Sequence, residues 1–106
     1  MSHKSRIVGD WLTGHTYSQI KERRRHSIHA IERYCTDFQR VVRLHEHGLS
    51  VAKIRVSTGL SERLIGEYLE LYRTVGCDNL QVQRILSEAD PATEKAAEIK
   101  RGAWLQ

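Results

Sequence analysis

Arg23, Arg24, Arg25 and His26 stand consecutively, the densest run of side chains able to do polar chemistry in this chain. A guanidinium is always charged, donates through a planar fork and accepts nothing, so a row of three suits the oxygens of a phosphate backbone. The charge along the chain agrees. Residues 1–48 hold nine Lys/Arg against five Asp/Glu, residues 49–76 four against three, and residues 77–106 four against five. All six histidines also lie in the first stretch, so a polyanion is expected to meet the N-terminal half. Other chemistries find less support. His26-x-x-His29, Cys35 and His45-x-His47 are the candidate metal ligands, but no Cys-x-x-Cys accompanies them and the spacing of a zinc finger is missing. No acidic cluster for a metal-dependent nuclease and no nucleophile with positioned arginines stands out. The expectation is therefore a protein that is not an enzyme, with no catalytic residue, no metal and no cofactor.

The elements that must position the arginines fit a small helical chain. With 106 residues, 40% of them hydrophobic, one proline and seven scattered glycines, it can form one compact domain or two very small ones sharing a core. No run approaches the ~20 apolar residues of a membrane span, and the start, Met1-Ser2-His3-Lys4-Ser5, is too polar for a signal peptide. The expected location is the cytoplasm, with no membrane partner. There Cys35 and Cys77 are expected as reduced, partly buried apolar groups.

A repeat fixes the units. Shifted by 34 residues, the stretch from Gly14 to Phe38 aligns without a gap on Gly48 to Tyr72, with identities at Gly14/Gly48, Ile20/Ile54, Ser27/Ser61, Ile31/Ile65 and Tyr34/Tyr68. Each copy reads as a short helix, a tight turn and a longer helix. In the second copy Ser50 caps the short helix, Gly59 suits the left-handed residue that closes it, and Ser61 caps the longer one. In the first, Thr16 and Ser27 are the caps, while Arg25 occupies the glycine position. A left-handed arginine costs about 1 kcal/mol, so a wider turn is expected there. Ile31, Tyr34 and Phe38, like Ile65, Tyr68 and Tyr72, recur at helical spacing and are expected in the core, with Trp11 completing the first unit. This leaves Ser27, Ile28, His29, Glu32, Arg33 and Thr36 outward in copy one, and Ser61, Glu62, Arg63, Gly66, Glu67 and Glu70 in copy two.

The pattern Ile54-Arg55-x-x-x-Gly59-Leu60-Ser61-x-x-x-Ile65, with its first-copy counterpart, resembles the helix-turn-helix of bacterial regulators, resolvases and transposases. The paired arrangement is similar to the N-terminal units of transposases and to small uncharacterised proteins of mobile elements. Arg55 departs from the usual alanine, as Arg25 does from glycine. The resemblance implies an all-α fold of two tandem three-helix units plus C-terminal helices: a first unit over 5–47 (5–13, 16–23, 27–38), a second over 38–76 (38–47, 50–57, 61–72) and a tail over 79–106. It implies double-stranded DNA as the partner, with the longer helix of each pair in the major groove. Arg23, Arg24, Arg25 and His26 would then meet phosphates, and Ser27, Ile28, His29 and Arg33 the groove. Arg33 can pair with guanine, Ile28 with a thymine methyl and His29 with a base edge. In copy two Ser61, Glu62 and Arg63 hold the corresponding places, among carboxylates that phosphate would repel. Copy one is thus expected to carry most of the affinity.

Between the copies, Ser27 to His47 contains neither Gly nor Pro, so one continuous helix is as compatible with the sequence as a break at Thr36-x-x-Gln39. Beyond Gly76, Leu80, Ile85 and Leu86 suggest a short helix. Asp90-Pro91 marks another start, and the stripe Ala92, Ala96, Ile99, Ala103 suits either self-packing or a homodimer through 91–105. The functional expectation is a small transcriptional regulator or transposon-end-binding protein. The alternative is a protein-interaction or RNA-binding module that reuses the same fold.

Overall fold

The computed structural model describes residues 1–87, which form six α-helices and no strand. They are α1 (His3–Leu12), α2 (Tyr17–Arg24), α3 (Ile28–Glu46), α4 (Val51–Thr58), α5 (Glu62–Val75) and α6 (Leu80–Ser87). The all-α class expected from the sequence is the observed one.

Hydroxyl caps set where the first five helices start. Ser2, Thr16, Ser27, Ser50 and Ser61 each hold extended backbone and accept, through the side-chain oxygen, the N–H three residues on. Each such bond satisfies one of the donors a helix leaves open at its start, and is worth about 1 kcal/mol. The Ser2 cap moves the first helix earlier than the expected 5–13. Asn79 does two jobs at α6: its Oδ1 accepts from the N–H groups of Gln81 and Val82, and its Nδ2 donates to the Leu12 carbonyl at 2.8 Å, tying α6 to the end of α1.

The 34-residue repeat is present in the backbone. At the end of α1, the N–H groups of Thr13, Gly14 and His15 donate to the carbonyls of Gly9, Trp11 and Asp10. Thirty-four residues on, at the end of α3, His47, Gly48 and Leu49 donate to Arg43, His45 and Leu44. Gly14 and Gly48 both take positive φ, 102° and 85°. The second turn repeats as well: Arg25 (φ 55°, ψ 42°) and Gly59 (φ 77°, ψ 4°) are both left-handed, their N–H groups donating to Lys21 and Arg55. The wider turn expected at Arg25 is therefore not what forms. The arginine accepts the left-handed conformation and the turn keeps its length.

No break occurs at Thr36-x-x-Gln39. α3 runs unbroken for 19 residues, so the expected division into 27–38 and 38–47 is replaced by one helix whose first half belongs to the first helix pair and whose second half leads into the next. Its buried residues, Ile31, Cys35, Phe38, Val41, Val42 and Leu44, form one long stripe. A break would have exposed carbonyls in the middle of that stripe.

One hydrophobic core results, with repeat-equivalent residues at equivalent depth: Ile20 and Ile54, like Ile31 and Ile65, are fully buried. Phe38 joins the halves, edge-on to Trp11 at 6.4 Å and to Tyr68 at 5.7 Å between ring centroids. Trp11 takes the core place expected of it, whereas Tyr34 and Tyr72 pack at the rim and keep part of their surface in solvent. Cys35 lies in the core, its thiol pushed up to about 12 by burial, which keeps it in the apolar S–H form. Cys77 is unpaired and exposed, against the expectation that it would be partly buried. The expected short helix beyond Gly76 is α6, packed on α1 and α3 through Val82 and Ile85. The expected Asp90 cap and the stripe over 91–105 lie outside the described residues.

Candidate nucleic-acid interface

The Arg23–His26 run sits at the end of α2 and in the turn that leads into α3, and its four members have different surroundings. Arg24 is held by α1: its Nε and Nη2 donate to the two carboxylate oxygens of Asp10 at 2.8 and 3.1 Å. Asp10 is nearly buried, and the Arg24 hydrogen bond holds its carboxyl below the usual range. Sequence reasoning placed Arg24 with the phosphate contacts. Two of its five N–H donors are taken by Asp10, so it anchors α2 on α1. Arg23 is 55% exposed, 3.8 Å from Asp10 and 3.3 Å from His15 Nε2. The His15 Nδ1 lies 3.0 Å from the Asp10 carbonyl, which can only accept, so Nδ1 carries the proton and Nε2 accepts from Arg23. Arg25 is exposed on its left-handed backbone. His26 donates from Nδ1 to the Arg24 carbonyl at 3.0 Å, which fixes its ring beside the α3 cap Ser27.

The outward strip of α3 is open. Ser27, Ile28, His29, Glu32, Arg33 and Thr36 are all exposed, Ile28 at 39%. An exposed isoleucine in the first turn, between a cap and a histidine, has no core to enter and offers an apolar contact to whatever approaches.

The corresponding strip of α5 is not open to the same degree. Ser61, Glu62 and Arg63 are exposed, with Arg63 at 87%. Glu67, which stands where Arg33 stands in α3, is 16% exposed because the first turn of α1 lies on it. The Glu67 carboxylate accepts from the Ser2 N–H at 3.0 Å, the Ser2 hydroxyl at 2.7 Å and the Ser5 hydroxyl at 2.5 Å. Those bonds, the Ser5 hydroxyl first, lower its pKa from 4.5 to about 2. Arg63 also leans on it, at 3.6 Å. Farther along, Glu70 pairs with Arg73, a surface pair that adds little.

The first turn of α1 is the part of this surface that sequence reasoning missed. The His3 ring lies 5.5 Å from His26, and Lys4 Nζ stands 5.5 Å from the centroid of Tyr34, next in sequence to Arg33. Both residues are exposed. No local signal could have found them, because the hydrogen bond that seats this turn joins Ser2 to Glu67 across 65 residues. Among the described residues no group of three or more His, Cys, Asp or Glu side chains could hold a metal ion. No helix among them is long and apolar enough to cross a membrane.

A family model described as a protein of unknown function (DUF1670) matches residues 1–71, and the chain belongs to that family. The match takes in α1 to α4 and most of α5, both helix pairs together, and ends before α6. No curated protein matches the chain, and no solved structure does.

Proposed function

We propose that this DUF1670 member binds double-stranded DNA, with α3 lying in the major groove and α2 crossing the adjacent backbone, and that it works as a small transcriptional regulator or transposon-end-binding protein. The observation that carries the reading is the open strip Ile28, His29, Arg33 at the start of α3, with Lys21, Arg23 and Arg25 exposed on the preceding α2 and turn. It has the division of labour that duplex recognition needs: cations at the edge for phosphates, and a forked cation, a ring and a methyl-bearing side chain in the middle for base edges. In tandem helix-turn-helix terms the two pairs are unequal, because α5 sets Glu62 and Glu70 where a duplex would meet carboxylates. A cytoplasmic protein at the nucleoid, binding rather than catalysing, follows from the same reading.

Selection from a random pool of duplexes, with RNA of mixed sequence measured at the same salt, is the decisive experiment. A defined motif is expected. Within it, Arg33→Ala should relax one position, most simply a guanine, at a cost of about 1–3 kcal/mol. Equal retention of all duplexes together with tighter binding to RNA would overturn the proposal in favour of an RNA-binding module.

A further inference from the structure

We infer that the duplex-facing surface is completed by the first turn of α1, with Lys4 and His3 taking backbone phosphates beside α3, while α5 serves as the wall that seats this turn and does not itself read DNA. The inference rests on the proposal that α3 enters the groove, and adds residues that the helix-turn-helix reading leaves out.

Three observations lead to it. First, the clamp on Glu67 uses the α5 residue that is repeat-equivalent to the proposed guanine reader Arg33. All three donors, two on the half-buried Ser2 and one on the buried Ser5, meet the same Glu67 oxygen, Oε1, so the side chain is held against α1 and cannot swing outward as Arg33 does without leaving them unmet. Second, the clamp places Lys4 and His3 on α3. Lys4 Nζ lies over Tyr34, adjacent to Arg33, and His3 meets His26, adjacent to the Ser27 cap. His3 and Lys4 thereby meet His26 and Tyr34, although α1 and α3 are separate in sequence. Third, the space between α1 and α5 is a shallow groove of about 360 Å³ with Ser2, His3 and Lys4 on one side and Ser61, Arg63 and Glu67 on the other. The start of α5 therefore faces α1 across that groove. Glu67 makes it a poor bed for a phosphate, whereas Lys4 stands exposed at its rim, its ammonium over Tyr34 and near enough to favour the Asp37 carboxylate.

The test is the salt dependence of duplex binding by the full chain, since removing one cation from a phosphate lowers the log–log slope by about one. Lys4→Ala is expected to lower the slope by about one, Lys4→Arg to restore it, and Arg63→Ala to leave it unchanged, all with wild-type helix content. Charge rescue by arginine is a result that a merely structural role for Lys4 would not give. A slope that falls with Arg63→Ala, or is untouched by Lys4→Ala while Arg25→Ala lowers it, would overturn the inference and leave DNA binding by α3 standing. Failure of the wild-type chain to bind any duplex would overturn both.

Discussion

Arg25 carries the clearest local backbone cost of residues 1–87. It is the single non-glycine residue with positive φ among the described residues, at the point where its repeat partner is Gly59. A β-carbon in this conformation crowds the neighbouring carbonyl by about 1 kcal/mol, which the turn tolerates because the bond from the Arg25 N–H to Lys21 still closes α2 at 2.8 Å. A protein that keeps an arginine there forgoes stability that glycine would supply, and an exposed guanidinium beside the proposed phosphate path is a reason to forgo it. Arg25→Gly is accordingly expected to raise the urea midpoint slightly, by the equivalent of up to roughly 0.5 kcal/mol, after allowance for the extra freedom glycine gives the unfolded chain. The same substitution should weaken duplex binding and flatten its salt dependence. A variant that is less stable than wild type would show that the arginine side chain contributes an interaction beyond its backbone.

At the scale of elements, the helices, their caps and the repeat were legible in the sequence because they are local. Thr16, Ser27, Ser50 and Ser61 announce helix starts by type, and the recurrence of Ile20 at Ile54 and Ile31 at Ile65 gives the buried side. What could not be read were the ties between elements. Asp10 and Arg24 are fourteen residues apart, and nothing in their spacing says that α1 will pair with one of the three arginines. The continuity of α3 depended on whether Val41 and Val42 face the same core as Ile31, which only tertiary packing decides. The clamp of α1 on α5, across 65 residues, is another of these ties, and it predicts an acid response. The Glu67 pKa is lowered from 4.5 to about 2 by hydroxyl and amide donors that favour the carboxylate, so folding is stabilised above 4.5 and this contribution is lost as the pH falls toward 2. Replacement of the carboxylate, Glu67→Gln, should make the urea midpoint less dependent on pH across that interval while lowering it at neutral pH. Parallel pH profiles for the two proteins would mean that the three donors do not hold the carboxylate in solution.

Residues 1–87 pack as one unit because the two helix pairs share a helix and are bridged by another. α3 supplies core to both, α1 packs against α3 and α5, and α6 fastens to α1 through Asn79 and to α3 through the bond from Arg43 Nε to the Ile85 carbonyl. The sequence repeat alone suggested two domains in a row, each with its own three helices, and two such domains could melt separately. The fold instead places Phe38 between Trp11 of the first half and Tyr68 of the second, with all three rings in one core. Removing that ring takes away packing on both sides at once. Phe38→Ala should cost about 3–5 kcal/mol, the range for deleting a fully buried aromatic side chain. The loss should appear equally at either end of the molecule: in a Trp104→Phe background, Trp11 fluorescence reports the first half, and amide exchange at Ile54 and Ile65 reports the second. Coincident transitions in both wild type and variant are expected, as for a single cooperative domain. If the Trp11 signal collapsed while the Ile54 and Ile65 amides stayed protected, the halves would be independent modules. α1 could then not hold Lys4 and α5 in fixed register with α3, and the surface proposed to meet a duplex would be jointed where one rigid face is expected.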